Sequence, residues 1–453
     1  MGALNDVRGA DFGDKRLNKR LEKLVEGLLP SPSASFPDAT KTDAALEATY
    51  RFFQNEEVSP GKILAPHIAA TVRRAQPEGT VLVAHDTTEF SFSSDREGLG
   101  RINDGGRGFF GHFAFAMRAD GSRTPLGVLG LRTLVRSRTL GKGHHSERLP
   151  PAERESFRWA QLVHDVEDVM AGQAQAIHLM DSEADAFELI SDLTQAKRQF
   201  VIRLKFNRAV AARHPMRLEQ KLQGLEGRFV REVQLSSRSP TRPPKGKRNV
   251  ARCYREATLA FSATQVTLLP PEHLDGKSSP VDVSIVHVRE LNAPEGTEPV
   301  DWKLVTTESI DLVTDIERIV DAYRARWAIE EFFKALKTGC AFEKRQLETL
   351  PALLNALAVF TPIAWELLLL RSVARDNQKA SASDVLSATK LLILQRHKAT
   401  RLATNASARD AFLAVARLGG HIKNNGEPGW QVLGRGYEKL LAYEQGALLA
   451  LDM

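Results

Sequence analysis

A stretch of helix-forming residues around position 330 constrains this chain more than any other segment. Ala, Glu, Lys, Arg and Leu dominate it, and Gly339 follows it, as at a helix C-terminus. Each helical residue rotates its side chain by about 100°. On that geometry, one stripe about 60° wide carries four polar side chains, those of Tyr323, Arg326, Glu330 and Lys337. Because carboxylates bind hard divalent cations, and Arg and Lys bind phosphates, the stripe indicates either a phosphate-handling site or an ordinary solvent-exposed ionic face.

Two short apolar runs in the first half of the chain end in aspartate. Thr80–Asp86 and Ala176–Asp181 are bounded like buried strands, and each places its Asp at the carboxyl end. Ligands of sheets that are covered by helices bind outside these strand ends. With Glu330 from a later helix, the two aspartates predict an oxygen-only cluster, which suits Mg²⁺, or Mn²⁺ as a substitute, and not zinc. Each aspartate could instead be a turn residue or a helix N-cap, since a helical segment also follows Asp181.

These residues resemble the DDE transposases of bacterial insertion sequences, specifically the insertion-sequence-four group, which includes the transposase of transposon five. That group carries the pattern Tyr-x₂-Arg-x₃-Glu-x₆-Lys, which begins here at Tyr323. Its first acid lies in Asp-Thr-Thr, beginning at Asp86, and its second in Asp-x-Glu-Ala-Asp, beginning at Asp181. Ser182 stands where many members have Arg. The resemblance covers nearly the whole chain, with further landmarks at Gly108–His112, Phe200–Arg203, Trp302 and Ala416–Gly420.

The resemblance implies a role for each of these positions. Two divalent ions can activate the nucleophile, neutralise charge at phosphorus and stabilise the leaving oxygen. The predicted catalytic, metal-holding acids are Asp86, Asp181 and Glu330. The predicted DNA-contacting residues around them are Tyr323, Arg326, Lys337, Trp302 and Arg203. The indole of Trp302 would stack on a flipped base during hairpin formation; the alternative is a core tryptophan beside a strand.

The first predicted helix carries a second group of basic residues. Leu17, Leu21, Leu24 and Leu28 recur at helical spacing. Family members begin with a similar Gly-Asp-x-Arg element that contacts transposon ends. The DNA contacts predicted on this helix are therefore Lys15, Arg16 and Arg20. The alternative is a plain basic amphipathic surface.

The net charge of +6 is distributed unevenly. Residues 203–255 contain fifteen Lys or Arg, three Glu and no Asp, a net of +12, so the rest of the chain has a net charge of −6. This block contains a proline-rich, basic segment that is typical of an exposed loop. It predicts either contact with a polyanion or a solubilising surface loop. The predicted DNA contacts in it are Arg242, Lys245, Lys247 and Arg248.

The order of predicted elements indicates an α/β catalytic core of the ribonuclease-H-like class, with a β-rich insertion and helical N- and C-terminal domains. Strands and helices alternate around the two aspartates, and Val281–Val288 alternates as a strand does. We predict a helical transposon-end-binding domain over 1–70, a catalytic domain over 71–350 with an insertion at about 207–300, and a helical domain over 351–453. The resemblance implies dimerisation through the last of these; the alternative is an intramolecular role.

Composition is consistent with a large cytoplasmic enzyme, and the resemblance implies a bacterial one that is associated with the nucleoid. The two cysteines, Cys253 and Cys340, form no metal-binding spacing, and a reducing compartment is the natural interpretation. The start of the chain predicts no secretory signal. The longest apolar stretch, Ala356–Leu370, contains Pro362 and Glu366 and is predicted to be too short to span a membrane.

Three functions are consistent with these residues. The first is a cut-and-paste transposase whose partners are its terminal inverted repeats, target DNA and a second copy of itself. The second is a related metal-dependent nuclease that does not join DNA. The third is a non-catalytic end-binding inhibitor, against which the three acids and the intact basic first helix both count. The residues around Tyr323 and Trp302 favour the transposase.

Overall fold

The computed structural model of the protein describes residues 2–29, 32–40, 42–103, 105–136, 157–235, 254–274, 276, 278–376, 380–422 and 427–451. Its strands are β1 Thr80–Phe92, β2 Gly100–Arg101, β3 Arg107–Arg118, β4 Pro125–Leu134, β5 Gln175–Met180, β6 Gln199–Arg203, β7 Ala209–Val210, β8 Met216–Arg217, β9 Phe229–Leu235, β10 Arg255–Leu268, β11 Val281–Leu291 and β12 Asp301–Thr306. Its helices are α1 Ala3–Val7, α2 Lys15–Leu28, α3 Phe36–Thr40, α4 Asp43–Gln54, α5 Pro60–Ala75, α6 Phe157–Met170, α7 Phe187–Gln195, α8 Leu218–Gln223, α9 Val313–Ala325, α10 Ala328–Lys334, α11 Leu350–Asp376, α12 Ala388–Arg396, α13 Ala408–Leu418 and α14 Trp430–Leu451.

The first five long strands form the half of a mixed sheet that carries Asp86 and leads to Asp181. Their spatial order is β4–β3–β1–β5–β6, with β1, β5 and β6 parallel and β3 antiparallel to both of its neighbours. Side chains of β1 alternate between two buried layers, because Val81 and Val83 pack against α6, whereas Leu82 and Ala84 belong to the larger core. Helices therefore cover both faces. This arrangement confirms the predicted ribonuclease-H-like α/β core with helical flanks.

The insertion extends that same sheet. Strand β12 returns to pair antiparallel with β6, and β11 and β10 follow it in order. Strand β9 adds to β10 along seven residue pairs. The insertion therefore covers what would otherwise be an exposed edge of the sheet beside β6. Residues 236–253, between β9 and β10, lie outside the described residues.

The helical stretch around position 330 differs from the regular helix predicted for it. Helix α9 ends at Ala325, and the backbone tightens at the next residues, where the amides of Arg326 and Trp327 bond to carbonyls three residues back. Helix α10 follows, and then a wide π-helical turn, Ala335–Gly339, that contains Lys337. Overwinding at one end and underwinding at the other move the stripe away from the simple 100° geometry.

Helix α11 corrects the prediction about membrane spanning. It continues through Pro362 as one helix of 27 residues, and its segment Leu350–Ser372 is long and apolar enough to cross a membrane. The most apolar 18-residue window of that segment is 83% buried inside the protein. Trp365 is fully buried and donates its indole N–H to the Pro125 carbonyl, and Asn355 donates to two carbonyls near α4. Its observed role is that of a central core helix.

A buried ionic cluster joins the N-terminal helices to the sheet. Asp6, in α1, accepts a hydrogen bond from His67 at 2.7 Å and contacts Arg74 at 3.0 Å, both on α5. The other ring nitrogen of His67 accepts the Val128 amide of β4. Burial raises the pKa of Asp6, but hydrogen bonds from His67 and Arg74 outweigh it and leave the pKa below its ordinary value. The N-terminal helices are therefore joined to the sheet by a charge cluster as well as by apolar packing.

Candidate active site

Three acidic side chains meet at the carboxyl edge of the parallel strands. Asp86 lies within β1 and Asp181 lies directly after β5; because these strands pair in parallel, the two aspartates are near neighbours. Glu330 comes from α10, which packs against β1. The charges of Asp181 and Glu330 both act on Asp86. Residues that are far apart in sequence thus converge at one place.

The guanidinium of Arg326 lies between two of these acids. It donates to Asp86 Oδ2 at 2.9 Å and to Glu330 Oε1 at 3.4 Å. Its side chain is only 10% exposed, and that of Asp86 is 15% exposed. Arg326 lies at the tight backbone turn, four residues before Glu330. Its guanidinium therefore contacts a neighbour in the same helical stretch and also Asp86, which is 240 residues away in the sequence.

Burial raises the pKa of the Asp86 carboxyl to about 7. Arg326 opposes that rise, whereas the neighbouring charges of Asp181 and Glu330 add to it, and the Thr87 backbone amide partly offsets it. A carboxyl held so far from its ordinary value, in a cluster of like charges, is typical of a functional site. An additional cation would lower the electrostatic cost of keeping the acids ionised.

The donor set suits a hard divalent cation, because it consists of carboxylate oxygens alone. As the side chains stand, the described part of the chain contains no group of three acidic, imidazole or thiol side chains close enough together to enclose one ion. Arg326 provides the positive charge between Asp86 and Glu330. The residues fit a metal chemically. For an ion to bind, the acids must release the Arg326 guanidinium or contact the guanidinium and the ion together.

Tyr323, Arg203 and Trp302 form one cluster beside the acids. The phenol of Tyr323 is hydrogen-bonded by Arg203, at the end of β6, and burial raises its pKa above the ordinary value. The indole of Trp302 packs edge-on against the Tyr323 ring, with centroids 5.5 Å apart. Trp302 is half-buried on β12, so it packs against the core while part of the ring stays accessible.

Lys337 lies farther along β1 than the other members of the stripe. Its ammonium is 3.9 Å from Glu343 and 5.5 Å from the centre of the Phe90 ring. Burial lowers its pKa, with Glu343 and Glu89 opposing. The structure therefore groups Tyr323, Arg326 and Glu330 closely and places Lys337 at the outer end of the site.

A second layer of polar residues supports the strand ends, and sequence reasoning did not single it out. Thr87, next to Asp86, shares its hydroxyl with His112 at 2.9 Å and Arg158 at 3.2 Å. Arg158 also reaches Glu183 at 3.4 Å. His112 belongs to the Gly-Phe-Phe-Gly-His stretch, so the motif was visible in the sequence but its supporting role was not.

Asp181 also caps the turn that follows it. Its Oδ1 accepts the backbone amide of Glu183 at 2.9 Å, as the alternative N-cap interpretation predicted. The two roles are compatible, because a carboxylate has a second oxygen. The last acid of the same motif, Asp185, is 5% exposed and is fully used by hydrogen bonds from the loop after β6. It was not predicted as a site residue.

The remaining predicted DNA contacts lie away from the acids. Lys15, Arg16 and Arg20 are on α2; the Arg16 side chain is 91% exposed and pairs with the N-cap residue Asp14. Arg242, Lys245, Lys247 and Arg248 lie outside the described residues. The structure thus gathers the acids and the aromatic cluster into one site and leaves the role of the basic segments as a prediction.

Comparison with known proteins gives matches to two families and likenesses to solved structures. The family described as "Transposase DNA-binding" matches residues 3–58, and the one described as "Transposase DDE domain" matches residues 77–360. A solved structure, the cryo-EM structure of the piggyBac transposase synaptic complex with hairpin DNA, is similar with 11% sequence identity and a TM-score of 0.38. The match covers 95% of this chain and 73% of that one.

Proposed function

The chain belongs to the transposase DDE-domain family, and from that membership we propose that this DNA transposase works by cut-and-paste chemistry and falls in the insertion-sequence-four group. In the proposed reaction it nicks each transposon end, forms and opens a hairpin, and transfers the 3′-hydroxyl ends into target DNA. The observation that carries the proposal is the meeting of Asp86, Asp181 and Glu330 at the sheet's carboxyl edge. The Tyr323 pattern on the adjoining helices supports the finer assignment.

Members of this family use divalent metal ions; here we propose Mg²⁺, with Mn²⁺ as a substitute, held by the three acids. When bound, the ions supply charge neutralisation at phosphorus and activation of the attacking oxygen. In the nick, water attacks phosphorus and the bond to the 3′ oxygen breaks, which releases a 3′-hydroxyl. The three acids would hold the ions in place, while Arg326 and Lys337 contact phosphate oxygens of the DNA. The freed hydroxyl is the nucleophile of the next step.

Hairpin formation requires one base to leave the helix, and the aromatic cluster can hold it. Trp302 presents part of its ring beside Tyr323, itself fixed by Arg203. An indole is a sequence-tolerant stacking surface. We therefore assign Trp302 to the flipped base and Tyr323 to the phosphate that follows it.

The proposal is tested by removing each acid singly. The variants Asp86→Ala, Asp181→Ala and Glu330→Ala are expected to lose nicking of an end substrate in Mg²⁺ while retaining binding to it. Loss of a ligand from a two-metal site removes several kcal/mol of transition-state stabilisation. Nicked and intact strands are separated on a denaturing gel, and binding is measured by fluorescence anisotropy in EDTA.

Glu331→Ala is the matched control for Glu330→Ala. Glu331 is the next residue on α10, but it pairs with Lys334 at 2.6 Å and Arg371 at 3.3 Å, away from the acids. It should nick DNA at the wild-type rate. Mg²⁺-dependent nicking by any of the three active-site variants would contradict the assignment of the acids. If the wild-type protein nicks DNA but does not join ends to target DNA, the protein is a nuclease instead.

The partners follow from the same proposal. The family matches support binding to DNA through the N-terminal segment as well as the catalytic domain. We further propose that the protein acts as a homodimer, dimerising through the helices after residue 350, and that it works at the nucleoid in the bacterial cytoplasm. Size-exclusion chromatography with light scattering, with and without an end duplex, tests the dimer.

A further inference from the structure

Phe206 is an exposed aromatic residue next to the candidate active site. It is 55% exposed and lies in the loop that leaves β6, three residues after Arg203. A single exposed apolar residue is ordinary by itself. What distinguishes Phe206 is how firmly its backbone is held and where the loop lies.

The carboxylate of Asp185 holds this loop in place by hydrogen bonds to its backbone. It accepts the backbone amides of Lys205 at 2.6 Å and Phe206 at 2.8 Å, and Arg208 Nε at 2.9 Å. Asp185 and Arg208 are 5% and 8% exposed. Burying an ion pair carries a desolvation cost that only good geometry offsets. A buried, hydrogen-bonded acid thus holds the backbone that carries the exposed phenyl ring.

The loop lies at the catalytic edge of the sheet. Strands β5 and β6 run in parallel, with Met180 beside Ile202, so the residues after β6 emerge next to Asp181. Lys205 is near enough to act electrostatically on Glu183, two residues after Asp181. An extended strand advances about 3.3 Å per residue, which places Phe206 within about 10 Å of Arg203.

The surroundings of the ring favour nucleic acid. The Lys205 ammonium is 5.7 Å and the Arg208 guanidinium 5.9 Å from the ring centre. Aromatic rings flanked by cations bind single-stranded nucleic acid by stacking on bases while the cations attract the backbone. A protein partner would be expected to bury a wider apolar patch than this single ring.

We infer that Phe206 is a base-stacking platform, which holds an unpaired nucleobase of the DNA bound at the acids while Lys205 contacts the adjacent phosphate. The inference rests on the proposed transposase function and adds a second stacking residue, separate from Trp302. Asp185 is the positioning residue of this platform. Because the platform needs an exposed base, it favours DNA with unpaired nucleotides over fully paired duplex.

The test measures binding of a duplex with an unpaired fork at one end and of the same duplex fully paired, in EDTA, so that no cleavage occurs. Phe206→Ala and Phe206→Leu are expected to weaken fork binding about 5- to 150-fold, the range of one base stack, and to lose the preference for the fork. Phe206→Trp keeps the preference, and its indole fluorescence is quenched by the fork. Leu312→Ala is the matched control, since Leu312 is 63% exposed at the opposite edge of the sheet.

Charge and stacking are separated by salt. Phe206 variants should leave the slope of log K against log salt unchanged, whereas Lys205→Ala should reduce it by about 0.9, one phosphate contact. If Phe206→Leu binds the fork as tightly as wild type, the stacking inference is wrong. If the wild-type protein binds no DNA, the proposed function itself fails; if it binds and nicks DNA and only the Phe206 effect is missing, that function stands.

Discussion

Replacing Arg326 with Met should tighten divalent metal binding, although the substitution should impair catalysis. The guanidinium donates to Asp86 at 2.9 Å and to Glu330 at 3.4 Å. A metal ion must therefore compete with a cation that is already there. Two unit charges at about 4 Å interact by about 4 kcal/mol at an effective dielectric constant of 20. The Glu330 side chain is 31% exposed, which weakens the effect.

We expect a net gain in metal affinity of about 1–2 kcal/mol, a factor of about 5–30. Isothermal titration with Mn²⁺ measures it directly and does not depend on activity. The titration needs a pH well above 7, because Arg326 opposes the rise of the Asp86 pKa to about 7, and without it that carboxyl binds its proton more tightly. Arg326→Lys keeps the charge and should retain near-wild-type affinity. Equal or weaker Mn²⁺ binding by a folded Arg326→Met variant would refute this account of the site.

Four further outcomes follow from the structure and the sequence. Trp302→Ala should nick ends at a near-normal rate but accumulate nicked product on a gel with few hairpins, and an abasic site at the flipped position should partly restore it; equal loss of both steps would indicate a purely structural tryptophan. Asp6→Ala should lower the free energy of unfolding in urea by about 3–5 kcal/mol, because it leaves the buried Arg74 unpaired; a loss below about 1 kcal/mol would contradict this. Burial lowers the pKa of His112 to about 3, so the unfolded chain, with an ordinary value of about 6.5, binds more protons. Stability should fall as the pH decreases below 6.5, by up to about 1.4 kcal/mol per unit, and His112→Gln should make that fall shallower between pH 6.5 and 5. The fourth variant neutralises four basic residues together, Arg242, Lys245, Lys247 and Arg248. It should weaken binding to specific and random DNA alike and reduce the slope of log K against log salt by up to about 0.9 per lost phosphate contact. An unchanged slope would indicate a merely solubilising loop.

Much of the catalytic core was predictable, because strand patterns and carboxyl-end aspartates depend on local sequence. The run before Asp86 and the run before Asp181 both became parallel strands, and their pairing brought the two acids together. The contact of Arg326 with Asp86 was not predictable, since it depends on packing between residues 240 apart. The helix spacing together with the family resemblance assigned Arg326 to phosphate.

The irregular backbone around the stripe was also beyond sequence reasoning. No residue between Tyr323 and Lys337 is a helix breaker, so propensity predicts one regular helix. Tertiary packing instead selects the tight turn at Arg326 and the π turn at Lys337. At Pro362 the error was the reverse, because the proline predicted an interrupted helix. Helix α11 continues through it, since the surrounding core holds the helix.

The pairing of β6 with β12 has a consequence for the order in which the protein is made. Arg203 ends one strand and Asp301 begins its partner, so about a hundred residues, and about 5–20 s of translation, separate them. During that interval the β6 edge is unpaired and open to wrong partners. Glu330 emerges later still, after nearly three quarters of the chain. A nascent chain can therefore assemble the strands of Asp86 and Asp181 while its third acid is still unsynthesised, and its acid cluster is complete only after Glu330 has been added.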